Sequence, residues 1–162
     1  MFRRFGPLFL GVGLAAQIAP PQVPEILKPP GAETILLKAV GSGKQIYACQ
    51  ASGWVLERPQ AELSDSQGKI IGKHYQGPTW EAADGSKVVG EVQQHANSPH
   101  AGAIPWLLLK AKSTQGTGIF GHVTYIQRVN TVGGAAPPDG CDRSHTNAEV
   151  AIDYHADYYF YK

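Results

Sequence analysis

The stretch "HVTYIQRVN", residues 122–130, decides the class of fold. In an extended chain, Val123, Tyr125, Gln127 and Val129 share one face while Thr124, Ile126 and Arg128 share the other, because side chains two positions apart point the same way. Its β-branched and aromatic residues suit a pleated, half-buried surface, and its period of two does not make a helical stripe. Outward from it, runs of similar composition recur at 34–40, 45–51, 53–57, 69–75, 79–82, 86–93, 104–111 and 157–161, separated by Gly, Asp, Asn and Pro clusters. "GSGK" at 41–44 reads as a hairpin connection, Asp65 to Gly68 as a four-residue turn, and Asp84-Gly85 as a glycine-assisted turn. No segment after residue 33 sustains a helical period. The expectation is an all-β fold, an antiparallel β-sandwich or barrel with long loops.

The N-terminus reads differently. Residues 1–19 carry Arg3 and Arg4, then the apolar run "PLFLGVGLAA", then small residues at Ala15, Ala16 and Ala19, the layout of a cleavable secretory signal. The run falls short of the ~20 apolar residues a membrane-spanning helix needs. Within it, "GVGLAA" at 11–16 matches a dinucleotide-loop spacing but lacks the strand before and the helix after that such a loop requires, so no cofactor is expected. Residues 20–33, with five prolines, read as an extended linker, and 34–162 as a single β domain. The expected location is secreted or periplasmic, with no transmembrane segment once the signal is removed.

The chain has 14 basic and 13 acidic residues, and losing residues 1–19 removes two of the basic ones and no acid. The remainder is 12 against 13, a formal charge of −1, which leaves no cationic excess for nucleic acid. In an oxidising compartment the two cysteines, Cys49 and Cys141, are expected to form a disulfide that ties a late loop to an early strand.

The blocks "IYACQASGWVLERPQAEL", "GKHYQGPTWEAADGSKVVGEV", "IPWLLLKAKS", "GIFGHVTYIQRVNTVGG" and "ADYYFYK", in this order, make the chain resemble the secreted domain-of-unknown-function family 3455 over roughly residues 33–162. The resemblance implies secretion and a shared architecture, and brings no catalytic residue, cofactor or substrate. Some relatives carry the label malate dehydrogenase. A nicotinamide enzyme needs a βαβ unit with a glycine-rich turn, which residues 20–162 lack, so that label reads as an inherited error.

Chemistry-bearing residues concentrate in "IGKHYQGPTWEAADGS", residues 71–86. If Gly77-Pro78 reverses the chain, His74 and Glu81 meet as a base and its orienting carboxylate, with Asp84 nearby, and this is the candidate catalytic pair of a secreted hydrolase or metal-dependent enzyme. The competing reading makes the same residues a structural corner with Trp80 in the core. In "DYHAD", Asp153, His155 and Asp157 share a strand face and are the candidate metal ligands. The other histidines have no ligand spacing, and no G-x-S-x-G elbow is present.

Aromatic residues are the most abundant resource. Alternation in Tyr158-Tyr159-Phe160-Tyr161 puts two of the four on the side away from whatever buries the other two, so Tyr159 and Tyr161, with Trp80 and Asp84, are candidate ligand-binding residues. The functional expectation is a monomeric extracellular or cell-envelope module, binding or structural, with polysaccharide as a candidate partner.

Overall fold

The computed structural model describes residues 16–31 and 33–162. Most of the signal-like stretch, residues 1–15, therefore lies outside the described residues. Eight strands follow in chain order: β1 (Ile35–Gln50), β2 (Gly53–Ser64), β3 (Ile70–Tyr75), β4 (Thr79–Ala82), β5 (Lys87–Ala96), β6 (Trp106–Gln115), β7 (Tyr125–Gly133) and β8 (Glu149–Tyr161). Each pairs antiparallel with its neighbour, and β1 pairs with β8 from Ile35↔Tyr161 to Ala48↔Glu149, so the single sheet closes into a barrel. Short 3-10 turns at Glu25–Leu27, Ile119–His122 and Arg143–His145 are the helical elements among the described residues.

Alternation along the strands sorts side chains between inside and outside. On β8, Tyr154, Ala156, Tyr158 and Phe160 point into the barrel and join Ala39, Ala61, Leu63, Trp80, Val88, Leu109, Phe120 and Ile126 in the main core. Large aromatic rings fit this narrow interior because the facing positions are small, the alternation of size that a small barrel needs. A Cβ on Gly41 would collide with the Tyr158 ring, and one on Gly90 would press on Trp80 and Leu109. These contacts correct the reading of "GSGK" as a hairpin turn: Gly41 and Gly43 continue β1 in register with Leu63 and Ala61, and the true turn lies at residues 51–52.

The two ends of the barrel are built differently. At one end the 3-10 turn Ile119–His122 inserts Phe120, whose ring lies 4.6 Å from that of Phe160. Asp84 and Ser86 hold this plug in place: Asp84 Oδ2 accepts from Ile119 N–H at 3.2 Å, and Ser86 Oγ accepts from Phe120 N–H at 3.1 Å. At the other end the Cys49–Cys141 disulfide ties the long β1–β2 hairpin to the β7–β8 loop across 92 residues of sequence, with a Cα–Cα distance of 5.3 Å.

The proline-rich segment, read from the sequence as a linker, docks on the outside of the barrel. Leu27 is fully buried, and its carbonyl accepts from Gln127 Nε2 at 2.6 Å. Gln127 Oε1 in turn accepts from the Tyr161 hydroxyl. Val129, Tyr159 and Tyr161 form a second buried cluster here, packed by Val23, Ile35, Trp106 and Tyr125. Prolines exclude this strap from the sheet, since they supply no ladder N–H, but do not stop it covering an apolar face.

Candidate functional site

Opposite the Phe120 plug, the barrel interior opens into a cavity of about 310 Å³. Its depth is set by His74, Trp80, Leu109 and Tyr158, and its apolar rim by Leu56, Pro59, Pro78, Val92 and Leu107. Leu56 and Val92, each 49% exposed, stand together at this rim. Three polar side chains, Gln45, Arg128 and His74, complete the wall, while Glu57 and Arg58 sit at the rim.

His74 is nearly sealed from water and lies flat on Trp80, with ring centroids 4.3 Å apart and planes 13° apart. Burial holds its pKa down to about 3, and the nearby Arg128 charge adds to the effect against the opposing bond to Thr79. The ring is therefore neutral. Its Nδ1 lies 2.9 Å from the Thr79 carbonyl oxygen, which only accepts, so Nδ1 carries the hydrogen and Nε2 keeps the lone pair.

Arg128 shares the interior face of β7 with Ile126 and pairs in register with Tyr158. Its Nε and Nη2 donate to the Pro105 carbonyl at 3.0 and 2.8 Å, which fixes the plane of the guanidinium. Among the described residues no carboxylate lies within ion-pair distance of it. Two further donors in the same wall, Gln45 Nε2 and Trp80 Nε1, are buried and unpartnered. Buried polar atoms normally have partners; Trp106 Nε1, outside this cavity, is a third without one, and what distinguishes this wall is that two such donors stand in it beside a guanidinium with no carboxylate partner.

The model of the family described as "Protein of unknown function (DUF3455)" matches residues 29–162. The chain belongs to this family. No curated protein and no solved structure matches it. All the residues of the cavity wall fall inside the matched region of this DUF3455 chain, whereas most of the docked strap precedes it.

Several residues singled out in the sequence stand elsewhere in this DUF3455 barrel. His74 and Glu81 do not meet, because antiparallel register pairs His74 with Trp80 and Lys73 with Glu81, placing His74 inside and Glu81 outside. Glu81 accepts from the Tyr75 hydroxyl at 2.8 Å and lies near Lys73 and Lys87; the Tyr75 bond, then those cations, hold its carboxyl below the usual range. Asp84 serves the turn and the plug, and its hydrogen bonds with Ser86 lower its pKa. The catalytic pair is thus replaced by a neutral core histidine and a surface carboxylate. Trp80 keeps its place as a wall residue of the cavity.

Asp153, His155 and Asp157 do share the outer face of β8, but each acid already has a cation: Lys44 lies 2.5 Å from Asp153 and Lys38 3.1 Å from Asp157. Among the described residues no group of three metal-ligating side chains converges. Tyr159 and Tyr161 do face away from the core as alternation requires, yet the strap and its neighbours reduce them to 6% and 4% exposure. They form no exposed platform.

Sequence reasoning missed Arg128 and Gln45. The available signal was their position: Arg128 falls on the same face as Ile126, so a charge had to enter an apolar face. A second cluster, Asp142, Ser144 and His145, has hydrolase-like components without the geometry. Ser144 Oγ and Asp142 Oδ1 both meet the same imidazole nitrogen, Nδ1 of His145, at 3.0 and 2.8 Å. A working triad uses the two nitrogens separately, one for the carboxylate and one for the hydroxyl. Here the cluster caps the 3-10 turn that follows Cys141, with Asp142 accepting from Ser144 N–H at 2.8 Å.

Proposed function

We propose that this protein is an extracellular or periplasmic binding module that takes a compact, partly apolar small molecule into the open mouth of its barrel. The observation that carries this reading is the cavity wall itself, in which exposed Leu56 and Val92 lead inward to two unpartnered buried donors, Gln45 Nε2 and Trp80 Nε1. Ligand sites are concave and mainly apolar with a few converging polar groups, and this mouth has that composition. The disulfide supports the location, since such bonds persist in oxidising compartments, and among the described residues no helix is long and apolar enough to cross a membrane.

A polysaccharide chain is served better by a row of exposed rings, and Tyr159, Tyr161 and Trp80 are buried. Hydrolysis is served by paired carboxylates or an activated nucleophile. The cavity wall offers one acid, Glu57, which lies at the rim against Arg58 at 2.6 Å. Both facts favour binding a compact ligand over either alternative.

The test follows tryptophan fluorescence in a Trp54→Phe, Trp106→Phe background of residues 20–162, which leaves Trp80 as the one indole, during titration with a neutral apolar probe, 1-octanol. Saturable perturbation in this background, weakened at least tenfold by Leu56→Glu and Val92→Glu with unchanged thermal unfolding, is the expected result. Retention on insoluble polysaccharide together with no response to 1-octanol would replace this reading with a surface-binding one.

A further inference from the structure

We infer that the ligand of the barrel mouth is an organic anion, a carboxylate with a compact apolar body, whose head group is received by Arg128 with Gln45 while the body lies among Trp80, Leu107 and Val92. This rests on the mouth being a ligand seat and adds the chemical class of what it takes.

The argument begins with what surrounds Arg128. A guanidinium beside apolar walls gives up hydration, and it does so at tolerable cost when a carboxylate or several acceptors replace the water. Half-buried Arg128 donates to the Pro105 carbonyl through Nε and Nη2, and its other polar neighbour is the Tyr158 hydroxyl, so both partners are neutral and the charge has no counter-ion. The one acid of the wall is already engaged, since Glu57 meets Arg58 at 2.6 Å, and Arg58 also meets Glu149 at 2.9 Å.

The rest of the wall has the same bias. Gln45 is 1% exposed, and its amide nitrogen has hydrogens to give and no acceptor to take them. Trp80 Nε1 is in the same condition. Tyr158 of the wall shares a hydroxyl contact at 3.2 Å with Tyr154, and burial raises both pKa values, so both phenols are neutral and one of their two hydrogens is spent between them. Against these donors the wall sets His74 Nε2, the Gln45 amide oxygen and the Glu57 carboxylate, the last already held by Arg58 at 2.6 Å. Unused donors plus one unpaired cation define a receptor for negative charge, and the fork of a guanidinium matches a carboxylate in particular. The cation is local: the chain as a whole carries a formal charge of only +1, so bulk attraction of anions is not its source.

Size and lining set the rest of the ligand. A cavity of about 310 Å³ has the volume of about ten waters at ~30 Å³ each. An aryl or medium-chain acid fills a space of that size, whereas a polymer or a two-chain lipid would leave most of its length outside the mouth. The aliphatic rim of Leu56, Pro59, Pro78 and Val92 then covers the body of the ligand.

Calorimetric titration of residues 20–162 compares octanoate with octanamide, and 2-naphthoate with 2-naphthamide, members of each pair having nearly the same shape and differing in charge. The expected result is at least tenfold tighter binding of the acid in one pair or both, weakening as salt is raised. Arg128→Gln should bring the acid down to the affinity of its amide and leave the amide unchanged, whereas Arg128→Lys should keep part of the preference. Equal binding of acid and amide by the wild type overturns the anion assignment and leaves the mouth as a neutral seat. Binding of none of the four overturns the assignment too, and 1-octanol then decides whether the mouth binds anything. The wild-type comparison stands even if an Arg128 variant fails to fold, because it needs no substitution.

Discussion

The imidazole of His74 lies parallel to the indole of Trp80, 4.3 Å from it between ring centroids, on adjacent strands of a barrel whose interior holds both. A neutral ring stacks there without an ion to desolvate, and a protonated one does not. The pair therefore links the acidity of the medium to the packing of the core.

The sign of that link is definite. The ordinary His pKa of 6.5 applies to the unfolded chain, while burial holds the folded value to about 3. Between those values the unfolded state binds the extra proton, so stability is fully present above pH 6.5 and is lost as pH falls toward 3. The limiting slope is ~1.4 kcal/mol per pH unit for one proton. Carboxylates with lowered pKa values, such as Asp142 at about 2, contribute stability that is lost only below their unfolded value of 3.8. Denaturant titrations at pH 7, 6 and 5 should show falling stability in wild type and a nearly flat profile in His74→Phe, which keeps a stacking ring and removes the proton. A wild-type profile that is flat across this window would refute the link.

Gly41 has no side chain because Tyr158 occupies the space a Cβ would take, and Tyr158 cannot yield easily, being packed against His74 and Trp80. Gly41→Ala should cost ~1–3 kcal/mol, the usual penalty for overpacking a filled core. Ser42→Ala, one residue on and facing solvent, should stay within about 0.5 kcal/mol of wild type. Comparing the two in urea separates the core contact from any general intolerance of β1.

The Cys49–Cys141 bridge closes 92 residues of sequence and anchors the loop carrying the 3-10 turn Arg143–His145. Replacing both cysteines by serine should lower stability by ~2–5 kcal/mol. Apart from the Trp54 Nε1 bond to the Asp139 carbonyl, the other bonds that tie this loop to the barrel sit at its ends, at residues 134–135 and 147–148, so limited proteolysis of the variant should cut first between residues 134 and 148. First cleavage elsewhere would show that the loop keeps its place without the bridge.

Leu27 is the apolar anchor of the strap, fully buried beneath a segment that is otherwise largely exposed. Truncating a buried leucine to alanine costs ~2–5 kcal/mol when the surroundings cannot collapse. Here that loss should appear as local release. Leu27→Ala is expected to speed cleavage within residues 20–31 by at least tenfold, equivalent to ~1.4 kcal/mol of opening free energy, while the barrel stays folded. Unchanged cleavage would mean that Gln127 and the prolines hold the strap alone.

The strand class, most of the strands and the Asp65 and Asp84 turns follow from local pattern, because alternation and turn chemistry act over a few residues. So does the pairing of the chain's two cysteines. Tertiary structure decided the rest. "GSGK" looks like a turn until Tyr158, more than a hundred residues later in sequence, requires the absence of side chains there. His74 and Glu81 look like partners until the register of β3 and β4 sends them to opposite faces, since a strand's period of two admits no compromise. Tyr159 and Tyr161 look exposed until a proline-rich segment with one buried leucine lies over them. The cavity that unites Gln45, Arg128 and Trp80 exists only because closing the sheet brings β1, β4 and β7 around one interior, a relation between distant residues that no local pattern encodes.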